Sequence, residues 1–374
     1  MSAPEVEALL AGPAGRAVLA ELVGLDLFRE LGEPVPGGVR LVQDGTAPAG
    51  RRRGKEAPAG QRRGAPDARA GELIAAAVSA ADLGELASCR DRLLLLSAVA
   101  NVIEGRQAAA GPYLAAARNA LGPVAEALVA APAARWWWEP VNRSGQRWAG
   151  AEGTALPRGA ALAAAVQRIA AAEAQEELDA ARGQFWQLRR RHPISISWWS
   201  APLGGTVFTT TGPIETLPAV ELGCVEDSAG EEVREVWAVE IDPGARVREI
   251  GGPADWARLA AEFPRDVTAS RQHDWDSWTG QESTWVLPDW PAVSREWDGV
   301  HVSVSGYLSA SGFAIAAGNA STLLAGWEPD QALWLKDVFA KAEYVAPWRG
   351  SPGSDALPDV TPPWQRHRAG QPPD

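Results

Sequence analysis

The chain has 374 residues, 46% of them hydrophobic, and a formal net charge of −12. That length suffices for two domains or one large domain with appendages, and that composition for a buried core. The acidity argues against a general nucleic-acid partner, because phosphate binding needs a basic footprint.

The charge is uneven. Residues 1–135 carry 15 basic and 15 acidic side chains, and residues 136–374 carry 20 and 32. The opening "MSAPEVEALLAG" holds two Glu and no basic segment, so no secretory signal is expected. Residues 1–32 and 72–135 read as parts of one helical bundle. Val18, Leu22 and Leu25 share a stripe, as do Leu95, Val99, Val102 and Ile103, then Tyr113, Ala117, Leu121, Val124 and Leu128. The longest apolar run, Leu93–Ile103, falls short of the ~20 residues that a bilayer requires. The expectation is a cytoplasmic chain with no membrane partner.

Between them, residues 33–71 are rich in Pro, Gly and Ala and hold eight basic residues from Arg40 to Arg69. The stretch has too little apolar surface to offset ordering entropy and reads as a flexible basic linker. Cys89 and Cys224 are too few for a four-thiolate zinc site and read as buried thiols in a reducing compartment.

All 18 Trp lie at position 136 or later. Residues 136–348 therefore read as a distinct Trp-rich α+β domain, with a mainly antiparallel sheet and short helices. Its first part, "WWWEPVNRSGQRWAG", cannot turn Trp136, Trp137 and Trp138 inward together on a regular element. They either offer a protein partner a surface or pack against the bundle. A long helix is expected from 160 to 191, with Leu162, Val166 and Ile169 opening its stripe and Leu178, Ala181, Phe185 and Leu188 closing it. Pro193 stops it.

The period then changes to two over 194–335. Ser195, Ser197 and Trp199 share one face of the first expected strand, and Trp199 is the best aromatic platform. Thr209 and Thr211 share a face of the next. "VREVWAVEID" and "ARVREI" follow, on either side of the turn Asp242-Pro243-Gly244. "GVHVSVSGYL" reads as the cleanest strand, with His301, Ser303, Ser305 and Tyr307 on its polar face. Short helices are expected at "GPADWARLAAEFP", with Trp256, Leu259, Ala260 and Phe263 inward, and at "PDWPAVSREWDG", capped by Asp289. Residues 349–374 read as a disordered tail.

Small hydroxyls from several strands beside an indole suit a cleft that hydrogen-bonds a polar ligand. No phosphate-binding loop, dinucleotide fingerprint, HExxH or paired CxxC occurs. No metal site is expected. His273-Asp274-Trp275-Asp276 reads as an Asx-type turn, and Asp298, His301 and Ser303 lack the nucleophile elbow of a hydrolase.

Several stretches carry a resemblance: "RWWWEPVNRSGQRW", "WWSAPLGGTVFTTT", "VEIDPGARVREIGGPADWARLAAEFP", "VLPDWPAVSREWDGVHVSVSGYL" and "LLAGWEPDQALWL". From residue 135 onward the chain resembles an uncharacterised actinobacterial family of Trp-rich proteins. The order of elements over 190–340 is also similar to ADP-ribosyltransferase-like domains. That likeness implies NAD as cofactor. Its counterparts here are His192 before the first strand, Thr209-Thr210-Thr211 as the hydroxyl triplet, and Glu328 as the catalytic carboxylate that would orient the ribose and stabilise an oxocarbenium-like centre. Trp199 would stack on the nicotinamide. The sequence departs from that pattern in having no Arg or His inside the first strand and no ExE or QxE pair. Beside an NAD-using enzyme stands a non-catalytic module that binds a protein or ligand through Trp136–Trp138 and Trp199, and a purely structural role.

Overall fold

In a computed structural model, residues 4–25, 65–103, 114–115, 118–183, 198–202, 208–225, 232–351, 353, 356–357 and 362–365 are described. The fold is α+β. Helices Pro4–Ala11 (α1), Pro13–Leu22 (α2), Ala65–Ala80 (α3), Leu83–Ala87 (α4), Arg92–Ile103 (α5) and Gly122–Ala130 (α6) come first. Their stripes bury as the spacing predicts: Val18, Leu22, Leu95, Val99, Leu121, Val124 and Leu128 are all shut off from solvent. Pro at the first turn of α2 and α6 supplies a preset φ where no backbone donor is needed. Helix α3 starts at Ala65, inside the stretch read as a linker. The rest of that stretch lies outside the described residues, as does Tyr113.

The core of these helices does not stop at residue 135. One cluster joins Leu9, Leu22, Leu95 and Leu128 to Leu217, Leu222, Val236, Val304 and Leu308. Cys89 and Cys224 both lie in it, and neither forms a disulfide. A 3-10 helix, Pro132–Trp138, carries the three successive indoles into the same cluster. Trp137 is fully buried and Trp136 and Trp138 are half-buried, so the triplet packs against the bundle.

The later part is built from Gln146–Ala151 (β1), Ala160–Ala181 (α7), Phe208–Thr210 (β2), Glu232–Ile241 (β3), Val247–Ile250 (β4) and Pro253–Glu262 (α8). Pro264–Asp266 (β5), Thr268–Thr279 (α9), Val286–Pro288 (β6), Trp290–Glu296 (α10), Gly299–Val302 (β7) and Val304–Ala310 (α11) follow. Ile315–Ala317 (β8), Ala320–Thr322 (β9), Gln331–Trp334 (β10) and Phe339–Gly350 (β11) complete it. One sheet has the order β1-β3-β11, and a second has β2-β10-β7-β4. All pairs are antiparallel except β4 with β7. The strands flanking Asp242-Pro243-Gly244 therefore enter different sheets. No helix among the described residues is long and apolar enough to cross a membrane.

The helices at "GPADWARLAAEFP" and "PDWPAVSREWDG" form as expected. Trp256, Leu259 and Ala260 are buried in one, Trp290 and Val293 in the other, and Asp289 accepts from the Ala292 N–H. Buried indoles divide in how they use their N–H: Trp137 and Trp290 Nε1 meet no acceptor among the described residues, whereas others are paired. Trp256 donates to Thr322 Oγ1 at 3.1 Å, Trp285 to Asp276 Oδ1 at 2.7 Å and Trp334 to Thr210 Oγ1 at 2.8 Å.

Four expectations need correction. "GVHVSVSGYL" is not one strand: β7 stops at Val302, and Ser303 caps α11 by accepting from the Gly306 N–H at 3.0 Å. A Ser side chain offers the backbone that alternative, and strand periodicity does not register it. His273–Asp276 is not a turn but lies on α9, whose first N–H groups are taken by Asp266 and Glu177. Helix α7 ends at Ala181, where Gly183 adopts φ 75°, and Leu178 at 51% exposure does not close its stripe. Past residue 349 the chain still packs: Leu357 is buried, and Gln365 Nε2 donates to the carbonyls of Glu21 and Leu22.

Candidate functional site

The expected polar residues and Trp199 do not meet in one cleft: the first place to describe is a network around His301. This side chain sits on β7, a central strand covered on both faces, and is fully buried. Its Nδ1 lies 2.6 Å from Glu249 Oε2 on β4, and its Nε2 lies 3.3 Å from Asp330 Oδ1 in the turn before β10. Burial alone would lower the imidazole pKa. Hydrogen bonds and charge from Asp330 and Glu249 outweigh it and push the value up to about 9. The ring is therefore an imidazolium at neutral pH and donates from both nitrogens.

Each carboxylate also grips backbone elsewhere. Glu249 Oε1 accepts from the Val141 N–H at 3.2 Å, and Asp330 Oδ2 from the Gly212 N–H at 2.7 Å. Asp330 holds a left-handed φ of 61°, a conformation that Asp tolerates better than most residues. The network thus ties the segment before β1, the turn after β2, β4, β7 and the turn before β10 into one knot. Asp298, the nearer carboxylate in sequence, is used elsewhere: it accepts from Lys336 Nζ at 2.7 Å and from the Arg246 N–H at 2.8 Å.

The remaining polar residues are spent on structure in the same way. Ser303 and Ser305 are buried and lie 3.1 Å apart, Oγ to Oγ, while Tyr307 is half-buried on α11. Thr211 is buried and its Oγ1 accepts from the Glu221 N–H, whereas Thr209 is half-buried on β2. Glu221 in turn accepts from the Ala149 N–H at 2.8 Å. Burial raises that carboxyl to about 8, against the opposing pull of the Ala149 N–H and Arg234. Glu328 Oε2 accepts from Gln331 Nε2 at 3.3 Å. His192, Ser195 and Ser197 lie outside the described residues. Among the described residues no group of three or more His, Cys, Asp or Glu could hold a metal ion.

The second place is the surroundings of Trp199, and none of those hydroxyls lines it. Ser200 stitches the segment to residue 325: its N–H and Oγ donate to the Ala325 carbonyl, and its Oγ accepts from the Ala325 N–H. Trp275 Nε1 donates to the Trp198 carbonyl at 3.0 Å. The Trp199 ring lies against Gly326, where any Cβ would overlap it, and Gly326 holds φ 70°. Gly is the residue that permits both the close approach and that backbone.

A cleft of about 150 Å³ opens beside the indole, lined by Ile169, Ala172, Glu173, Glu176, Trp199, Ala201 and Arg271. Its walls are α7 and α9. The apolar face of α7 runs Leu162, Val166, Ile169 and then continues in the same phase as Glu173, Glu176 and Glu177. Those carboxylates meet cations and N–H groups. Glu173 pairs with Arg265, Glu176 pairs with Arg271 at 3.0 Å, and Glu177 accepts from the Ala269 and Ser270 N–H groups. Arg271 is 4% exposed, its Nη1 donates to Glu176 and to Ser270 Oγ, and its Nε has no partner.

Sequence reading missed this cleft because Glu on a helix reads as a solvated face. The available signal was phase: the three Glu continue an apolar stripe instead of lying opposite it. No family model matches the chain, no curated protein matches it, and no solved structure matches it.

Proposed function

We propose that this chain is a non-catalytic ligand-binding module whose seat is the cleft between α7 and α9 at Trp199. The observation that carries this reading is the cleft itself: an open, partly apolar hollow of about 150 Å³ that sets the Trp199 indole, Ile169, Ala172 and Ala201 beside the charges of Glu173, Glu176 and Arg271, a composition that small-molecule seats share.

An NAD-using enzyme draws less support. His301 is closed on both nitrogens, Ser303 and Ser305 are buried, and Glu328 is engaged by Gln331. A grip through Trp136–Trp138 draws less support as well, since those indoles pack into the bundle.

The test is a fragment screen by ligand-observed NMR on the full chain and on Ala172→Leu. Ala172 sits exposed on α7 at the cleft, so Leu there fills the seat without disturbing a helix. Hits that disappear in the variant support the reading. No hits, or hits indifferent to the variant, overturn it.

A further inference from the structure

We propose that the outer edge of β11 pairs with the same edge of a second copy of this chain, antiparallel and centred on Ala342. The surface is independent of the Trp199 cleft. The sheet β1-β3-β11 has two ends. At one, Arg147 in β1 exchanges backbone hydrogen bonds with Thr211. At the other, β11 bonds to β3 along one side, and no strand among the described residues pairs with its opposite side. Such an edge is a row of unused donors and acceptors that another strand can take up. Leu178, Trp278, Tyr344 and Val345 are the large apolar side chains left exposed among the described residues, and two of the four stand together on this edge.

The strand itself limits where pairing can occur. Bulges at Ala340 and Val345 leave Lys341–Tyr344 as the regular stretch. Arg158 donates to the Phe339 carbonyl before it, and Pro347, which has no N–H, follows it. Charge then selects the occupant. Lys341 Nζ and Glu343 Oε1 lie 2.7 Å apart, and both side chains are more than half exposed. They are two residues apart in the strand and share a face. Directly opposite residues of an antiparallel pair also share a face, so a two-fold axis must pass beside one residue and not between two. Centred on Lys341 or on Glu343, that residue would meet its own copy and like charges would oppose. Centred on Tyr344, the pairing would run into the Val345 bulge. Centred on Ala342, each Lys341 faces Glu343 of the second copy, and the small Ala342 side chains meet at the axis. A lysine on an edge discourages unrelated strands. The order Lys-Ala-Glu makes this strand complementary to its own antiparallel copy.

Sedimentation of the full chain over a concentration series at low salt tests the inference, with Lys341→Glu, Glu343→Lys and an equimolar mixture of the two. Both positions are exposed, so neither substitution disturbs a core. The parent chain should dimerise. Each variant alone opposes like charges twice across the axis and should dimerise about tenfold or more weakly. The mixture sets two Glu on one strand against two Lys on the other and should regain an affinity within about threefold of the parent. A parent that stays monomeric at about 1 mM overturns the second copy as occupant and leaves the edge to a strand of another protein. A dimer that neither variant weakens, or a mixture that associates no more tightly than its components, overturns pairing at Ala342.

Discussion

Glu249 Oε2 and His301 Nδ1 lie 2.6 Å apart across the parallel strands β4 and β7, with the imidazole fully buried. A buried ring between two carboxylates is a fastening, since both nitrogens are committed and a proton cannot move without breaking a strand-to-turn link. The folded pKa of about 9 exceeds the ordinary 6.5. The stabilisation is therefore complete below pH 6.5 and is lost as pH rises through 9. A shift of that size corresponds to roughly 3 kcal/mol. Thermal unfolding followed from pH 6 to 10 should show the midpoint fall across this window, and His301→Gln should flatten the fall. At pH 7 that variant leaves two carboxylates facing each other and should lose about 3–5 kcal/mol in chemical denaturation.

Glu221 works in an overlapping window, from pH 4.5 to 8, with the opposite chemistry. Its folded carboxyl is raised to about 8 from 4.5, so the folded state favours the protonated form. Stability is complete below pH 4.5 and declines as pH rises through 8. Glu221→Gln keeps an oxygen that can accept from the Ala149 N–H and removes the ionisation. The variant should match the parent at pH 4 and exceed it in melting temperature at pH 9. An equal or lower melting temperature at pH 9 would contradict this account of the carboxyl.

Helix α11 depends on a glycine. A Cβ on Gly306 would overlap the Ile250 carbonyl oxygen, a backbone atom at the end of β4. Gly306→Ala must shift α11 off the end of β4 and so disturb its packing with the bundle residues that share the Val304 and Leu308 cluster. The expected loss is about 1–3 kcal/mol or more, measured by urea unfolding. Ser303→Ala removes the cap of the same helix and the contact with Ser305 Oγ, and should cost about 1–2 kcal/mol. If the two losses come out equal, close packing is not what holds α11.

Elements with strong local chemistry were legible in the sequence. Pro253 and Asp289 start their helices where expected, and the Val-rich runs form β3, β4 and β7. The α+β class follows from the change of period near 193. What sequence could not register was competition between local and distant partners. Ser303 trades a strand position for a cap, and α9 forms over "TASRQHDWDSWT" because Glu177, far off in the chain, accepts from its first turn. The candidate site was legible only at Trp199. Its other walls come from Glu173, Glu176 and Arg271, whose charges look solvated until α7 and α9 are laid together. The hydroxyl row was real as composition but was absorbed by caps and backbone bonds.

The seat at Trp199 is tested most directly by the indole N–H resonances in a two-dimensional NMR spectrum, with Trp199 assigned through Trp199→Phe. On saturation with a hit from the fragment screen the Trp199 signal should shift, while the exposed Trp278 and the half-buried Trp148, both outside the cleft lining, stay in place. A stationary Trp199 signal with shifts at other indoles would contradict the account.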